Sequence, residues 1–235
     1  MQQINQSLVK AIRQKFCNVE KCPISGDRIF FENAGGALTL RSALETSTKF
    51  AAIPDNQGRD NLTSNTLNSI IKNAKNDLSY LLNTHSAEFF MGESGTELLF
   101  RLIRNSLLAS PSGGSIVGTS LEHPASRSAA KKWADEMDYT YCSVPHNVEM
   151  GTVDPEAYAN HISETTRVVT IVHASPVTGM GTQIREISKI IRQKAPLAFI
   201  IVDGIQHAAH GGIDIESYDI DGYVISPYEM FSRHG

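Results

Sequence analysis

The feature that most constrains the fold is an alternation of short apolar runs with amphipathic stretches, which begins near residue 88. The apolar runs predict strands at 88–91, 115–119, 139–144, 167–173, 198–202 and 222–225. The amphipathic stretches predict helices at 95–108, 124–137, 155–163 and 183–193. Strands that are apolar throughout indicate a sheet with helices on both faces. Strand and helix in alternation therefore predict an α/β fold with a mostly parallel sheet.

The residues before this alternation have a helical pattern only. Amphipathic helices are predicted at 7–16, 39–52 and 66–83, and the third has its apolar residues at helical spacing. We therefore predict two parts, an N-terminal helical segment at 1–85 and an α/β domain at 86–235.

Composition excludes several classes of protein. The 235 residues are 41% hydrophobic and 20% charged, which is typical of a folded globular chain and excludes collagen-like and disordered classes. The net charge of -4 gives no basic excess, so no nucleic-acid partner is expected. No apolar stretch is long enough to cross a membrane. The first six residues have no targeting character, so we expect a cytoplasmic protein.

The three cysteines, Cys17, Cys22 and Cys142, are too few and too scattered for a disulfide framework. We expect reduced thiols. No metal site is predicted either, because the acidic and histidine residues do not match the spacing of a metal motif. The acidic and histidine residues that lack this spacing are Glu122, His123, Asp203, His207 and His210.

Polar, glycine-rich segments follow five of the predicted strands. They lie at 92–96, 120–123, 174–179, 203–207 and 226–229. In an open α/β sheet, ligands bind beyond the carboxyl ends of the strands. These segments are therefore predicted to converge on one site.

Three of these segments contain residues that are candidates for ligand contacts, although each also has a simpler structural explanation. Ser94-Gly95-Thr96 opens a helix, which is either a seat for a phosphate or a plain capping box with Glu97. His123 is either a structural hydrogen-bonding residue or a ligand contact. Asp203 ends a very apolar strand, so it is either a turn aspartate or the partner of a cationic ring nitrogen.

A dinucleotide site is the main rival hypothesis. Gly179-Met180-Gly181 follows a predicted strand, and Asp203 ends the next one, as in a dinucleotide fingerprint. However, Ile184 occupies the third glycine position, and residues 174–178 separate the strand from Gly179. A nicotinamide-dependent oxidoreductase therefore stays as an alternative.

From Phe30 to Gly235 the chain resembles the class V aminotransferase family of pyridoxal-phosphate enzymes, which includes cysteine desulfurases and selenocysteine lyases. Four segments carry the resemblance, in the family's order: Phe30-Phe31-Glu32-Asn33-Ala34-Gly35-Gly36, Gly95-Thr96-Glu97, Glu122-His123 and Val202-Asp203-Gly204-Ile205-Gln206. The resemblance implies the large domain of a fold-type I enzyme that transforms a small amino acid with pyridoxal 5'-phosphate, usually as a homodimer.

The resemblance also implies roles for individual residues. Gly95 and Thr96 would bind the cofactor's phosphate, and His123 would stack on its ring near the substrate's α-proton. Asp203 would pair with the ring nitrogen and keep it protonated. The other implied contacts are Gln206, Ser226 and Tyr228 for the cofactor, and Asn33 and Gly35 for the substrate.

The chain departs from the family where the Schiff-base lysine is expected. The family has Ser-x-His-Lys at this point, whereas this chain has Ser226-Pro227-Tyr228-Glu229, so Glu229 stands at the lysine position. Pro176 stands where the family often has an asparagine. A carboxylate cannot form an imine. Three explanations stay open: an inactive fragment or homologue that acts as a binding module, a Lys→Glu variant of an active enzyme, or a protein that binds the cofactor non-covalently.

The family also continues into a smaller C-terminal domain, which we expect to be missing here. The reactive cysteine of desulfurases belongs to that domain, so no persulfide chemistry is expected, and Cys142 is predicted to lie in the core. The family resemblance thus predicts transamination or lyase chemistry on an amino acid, with the inactive binding module and the oxidoreductase as alternatives.

Overall fold

The computed structural model describes residues 5–54 and 57–234, which form two compact units. Within these ranges, residues 5–54, 57–75 and 227–234 form the first unit, and Asn76–Ser226 form the second. Residues 1–4, on which part of the targeting prediction rests, lie outside the described range. Within that range, no helix has both the length and the apolar character needed to span a bilayer. The division at residue 85 stays a prediction.

The regular elements follow the predicted order. The helices are α1 (Gln6–Arg13), α2 (Arg41–Ala51), α3 (Leu62–Leu81), α4 (Gly95–Leu108), α5 (Pro124–Glu136), α6 (Pro155–Ala159) and α7 (Ile184–Lys194). The strands are β1 (Lys21–Cys22), β2 (Gly26–Asp27), β3 (Ser115–Thr119), β4 (Thr140–Val144), β5 (Thr166–Val172), β6 (Phe199–Asp203) and β7 (Gly222–Val224). Short 3-10 turns occur at Asn33–Gly35, His207–Ala209, Ile215–Ser217 and Pro227–Met230.

The second unit is built on a five-stranded sheet in the order β4-β3-β5-β6-β7. Every neighbouring pair in this sheet is parallel, which confirms the predicted α/β fold. Parallel crossovers are right-handed. Because β3 connects outward to β4 while β4, β5 and β6 progress in the other direction, α5 lies on one face and α6 and α7 lie on the other. The direction changes between β3 and β5, which is where open α/β sheets bind ligands.

The core of this unit fills the face covered by α4 and α5. Leu99, Ile103 and Leu107 of α4 are fully buried against Ile116 of β3 and Ile201 of β6. Burying each such side chain contributes roughly 1.5–3 kcal/mol to folding. This packing fixes where the carboxyl ends of the strands stand relative to the start of α4.

Some sequence predictions were wrong. Residues 88–91 form no strand, and the side chain of Phe90 is 79% exposed. A strand needs a neighbour for its backbone groups, and within the described chain β7 pairs only with β6 and leaves this segment unpaired. The helix predicted at 155–163 ends at Ala159. The hairpin of β1 and β2 was not predicted, because two-residue strands leave no periodic signal.

Candidate functional site

Asp203 is a buried acid at the carboxyl end of a central strand of the second unit. It ends β6, is 5% exposed, and accepts a hydrogen bond at Oδ1 from the backbone N–H of Ile205 at 3.2 Å. Burial raises the pKa of this carboxyl, while the Ile205 N–H and the nearby His123 imidazole act in the opposite direction. No described cationic side chain forms an ion pair with it. A cationic ligand group would satisfy it.

The N-terminus of α4 lies beside the segment that follows β7. A methyl group on Gly95 would lie 2.4 Å from Cδ1 of Ile205 and 2.8 Å from Oγ of Ser226, so only glycine fits here without a shift. Ser94 caps the helix by accepting a hydrogen bond from the Glu97 N–H at 3.1 Å. The capping role is thus present, and the N–H groups of Gly95 and Thr96 remain without intrahelical acceptors. These donors and the helix dipole favour an anion.

His123 is the N-cap of α5 and has an exposed side chain. Its Nδ1 accepts a hydrogen bond from the backbone N–H of Ala125 at 3.1 Å. Because this donor is an amide, the neutral imidazole must carry its proton on Nε2. The cap therefore fixes the tautomer of the ring and leaves its face accessible.

Glu122 was not selected from the sequence as a site residue, yet it lies at the centre of a buried network. The side chain is 4% exposed. Its Oε1 accepts hydrogen bonds from Thr170 Oγ1 at 2.6 Å and from the Thr119 N–H at 3.3 Å, and its Oε2 accepts one from Ser126 Oγ at 2.5 Å. Burial raises the pKa of this carboxyl to about 7, and the nearby charge of Asp203 acts in the same direction. The three hydrogen bonds act in the opposite direction and lower the pKa. The available signal was an acid directly before His123.

The two remaining predicted residues of the second unit differ in burial. Ser226 is buried, and Gln206 is half-buried three residues after Asp203. The structure therefore brings Gly95, Ser226 and the Asp203 loop together, with Glu122 and His123 within electrostatic reach of Asp203.

The other predicted residues belong to the first unit. Gly36 has φ of +132°, and a methyl group there would lie 3.2 Å from the ring of Tyr228. The Ala37 N–H donates to the carbonyl of Tyr228 at 3.3 Å. Glu229 follows in a 3-10 turn and is 4% exposed, whereas Asn33 and Gly35 are exposed. The fold thus places the Asn33–Gly35 turn beside the Pro227–Met230 turn, although almost 200 residues separate them in the chain.

A histidine pair that sequence analysis did not identify lies on the opposite face of the sheet from Asp203. The rings of His173 and His207 are stacked with centroids 3.5 Å apart. The hydroxyl oxygen of Tyr223 lies within hydrogen-bond distance of Nδ1 of His173, at 2.7 Å. Tyr223 is in register with Val202, so strand alternation directs it away from the Asp203 face. The pair is therefore a structural feature behind the site.

The glycines of the rival dinucleotide motif form a closed loop. Gly181 makes a β-bridge with Ala174, and the Gly179 N–H donates to the Ser175 carbonyl at 2.9 Å. The helix begins only at Ile184. A pyrophosphate needs free N–H groups at the start of a helix, so this geometry disfavours a dinucleotide site.

Comparison with known proteins gives matches over most of the chain. The family model described as aminotransferase class-V matches residues 29–235. The cysteine desulfurase-like protein ustD of Aspergillus flavus is 28% identical over 218 residues, which cover 90% of this chain and 49% of that protein. This chain therefore spans about half the length of that curated relative.

Solved structures share the fold at low sequence identity. A NIFS-like protein superposes with a TM-score of 0.82 at 19% identity, covering 88% of this chain and 57% of that one. A lysine-to-alanine mutant of C-DES, with glycine covalently linked to its PLP cofactor, superposes with a TM-score of 0.76 at 21% identity. The match covers 93% of this chain and 56% of that one.

Proposed function

The chain belongs to the aminotransferase class-V family, and we propose that it binds pyridoxal phosphate together with a small amino acid at the carboxyl ends of β3, β5 and β6. Asp203 is the observation that carries this proposal. It is a buried carboxyl with a backbone N–H donor and no described ion-pair partner. A protonated ring nitrogen supplies the missing charge.

The donor set around Asp203 fits the rest of the cofactor. The free N–H groups of Gly95 and Thr96 and the hydroxyl of Ser226 would hold the phosphate. His123 would lie against the ring, with Nε2 carrying the proton, and Gln206 would reach the ring oxygen. When bound, the cofactor supplies an electron sink for a carbanion at the substrate's α-carbon. Asp203 would hold the proton on the ring nitrogen, which keeps that sink effective.

We further propose that Glu229 stands at the family's lysine position, so the chain would hold the cofactor without a covalent bond to the protein. A carboxylate cannot replace the amine as a nucleophile. The C-DES mutant supports this proposal, because a protein of the same fold with a lysine replaced still carries PLP linked to an amino acid. Tyr228, and Asn33 and Gly35 for the substrate, complete the proposed set of residues. A catalytically inactive binding module is the second candidate, and Glu229 is the observation that favours it.

A titration with pyridoxal phosphate tests these proposals. Binding would be followed by cofactor absorbance and by the fluorescence of Trp133, whose indole N–H donates to the Phe100 carbonyl at 3.0 Å. Wild type, Asp203→Asn and Glu229→Lys would be compared. We expect saturable binding by wild type, at least a tenfold weaker Kd for Asp203→Asn, and a covalent cofactor band only in Glu229→Lys.

Turnover separates the two candidates for wild type. Amino-acid turnover by wild type would establish an enzyme that works without the lysine. Turnover in Glu229→Lys alone would show that wild type is an inactive binding module, and that Glu229 in place of the lysine is the cause of its inactivity. An Asp219→Asn variant, which changes an exposed acid paired with Arg192, serves as the matched control and should bind like wild type. Absence of saturable binding in all variants would overturn the cofactor proposal.

We also propose that the protein is a cytoplasmic homodimer. The three free cysteines fit a reducing compartment. Exposed apolar side chains such as Phe90 and Met91 give a surface that a second subunit would cover. Light scattering of the purified chain tests the dimer, and a monomer at micromolar concentration would contradict it.

A further inference from the structure

We propose that Glu122 is a positioning residue, which holds His123 in place near Asp203. The gain or loss of the Glu122 proton then changes the electrostatic environment of both side chains. The inference rests on the proposed function, since it assigns His123 and Asp203 to the cofactor. Its basis is that one buried carboxyl bonds to three separate elements at the point where the sheet changes direction.

Each hydrogen bond of Glu122 joins a different element. The Thr119 N–H belongs to the last residue of β3, the Thr170 hydroxyl to β5, and the Ser126 hydroxyl to the first turns of α5. The next residue, His123, begins α5 as its N-cap. Removing the carboxyl would leave two buried hydroxyls and one N–H without their acceptor, and the start of α5 would lose its link to the sheet.

Burial is the main reason why ionising Glu122 is costly, and Asp203 is the charged group that adds to this cost. Three titratable side chains face the Glu122 carboxyl. Asp203 approaches from β6, Tyr141 from β4 and Tyr158 from α6. Arg127 of α5 acts on Tyr141 but forms no ion pair with Glu122 among the described residues. With a pKa of about 7, the carboxyl gains its charge within the physiological range. That charge repels an ionised Asp203 and makes the surroundings of Asp203 more negative, which favours a ring cation there.

Hydrogen exchange in the ligand-free chain tests the positioning role directly. The Ala125 N–H donates to His123 Nδ1, so its protection reports how firmly the ring is held. We expect Glu122→Ala to lose at least tenfold of this protection, while Glu122→Gln, which keeps one acceptor, retains most of it. Ser188→Ala is the matched control, because it removes a buried hydroxyl on α7 that bonds Arg185 instead. If Glu122→Ala does not fold, Thr170→Val removes one bond of the same network.

A pH series separates positioning from a merely structural role. In wild type, the chemical shift of the Thr119 amide and the Kd for pyridoxal phosphate should both change around pH 7, with binding several-fold tighter at pH 8.5 than at pH 6. Glu122→Gln should abolish both changes, and Ser188→Ala should keep them. A pH step that persists in Glu122→Gln overturns the inference, and so does unchanged Ala125 protection in both Glu122→Ala and Thr170→Val. Failure of every variant to bind the cofactor, with the amide pattern intact, overturns the proposed function alone.

Discussion

The imidazole rings of His173 and His207 are stacked with an interplanar angle of 16° and centroids 3.5 Å apart. Burial, and to a lesser extent the neighbouring His207, lowers the pKa of His173 to about 4. Two cationic rings cannot share this arrangement without strong repulsion. The stack is therefore stable only while at least one ring is neutral.

This relationship predicts a loss of stability in acid. An unfolded histidine has its ordinary pKa near 6.5, so between pH 6.5 and 4 the unfolded chain binds the extra proton. The free energy of unfolding should therefore fall as the pH decreases through this window, by about 2 kcal/mol. Urea unfolding of wild type and His173→Gln measures this, and the difference between them should shrink as pH falls. His210→Gln, which changes an exposed histidine, should follow wild type; a constant difference for His173→Gln would contradict the prediction.

The fold was largely predictable because its signals are local. The prediction of a helix at 95–108 matches α4, and the strand at 115–119 matches β3, since each depends on periodicity and caps within its own segment. The failed strand at 88–91 depends instead on whether another strand lies beside it. Sequence periodicity contains no information about that neighbour.

The site was predictable only in part for the same reason. The position of Asp203 follows from the apolar run that it ends. The network of Glu122 joins Thr119, Ser126 and Thr170, and these partners meet only when β3, α5 and β5 assemble. Likewise, His173 and His207 are 34 residues apart on different loops, and no local pattern predicts their stacking.

Gly95→Ala should weaken cofactor binding more than it changes stability. The new methyl group would displace the flexible end of Ile205, while alanine favours the helix by roughly 0.5–1 kcal/mol, so the net change in unfolding free energy should stay within about 1 kcal/mol. The hydroxyl of Ser226 must also shift, which removes one proposed phosphate donor, and we expect at least a tenfold increase in the Kd for pyridoxal phosphate. Gly212→Ala, whose methyl group would meet nothing within 4 Å, should leave binding unchanged. Equal affinities for the two variants would contradict the phosphate seat.

Tyr158→Phe should leave stability unchanged or raise it by up to about 1 kcal/mol. The Tyr158 hydroxyl is fully buried and has no hydrogen-bond partner within the described chain, so removing it relieves an unsatisfied polar group. Tyr139→Phe is the matched control, because the Tyr139 hydroxyl donates to the Pro111 carbonyl at 3.0 Å. Its loss should destabilise the chain by about 1 kcal/mol. The urea midpoint of unfolding should therefore stay the same or rise in Tyr158→Phe and fall in Tyr139→Phe. A larger fall of the midpoint in Tyr158→Phe would show that the Tyr158 hydroxyl is hydrogen-bonded.

His123→Asn should separate the capping role of His123 from its proposed contact with the cofactor. Asparagine is among the best N-cap residues, and its side-chain oxygen can accept the Ala125 N–H in place of Nδ1. The free energy of unfolding should thus stay within about 0.5 kcal/mol of wild type, whereas His123→Ala should lose about 1 kcal/mol with the cap. Neither variant keeps an aromatic ring, so both should bind pyridoxal phosphate more weakly by a similar factor, measured by the same titration. If only His123→Ala bound weakly, the cap would explain the effect, and His123 would have no contact with the cofactor ring.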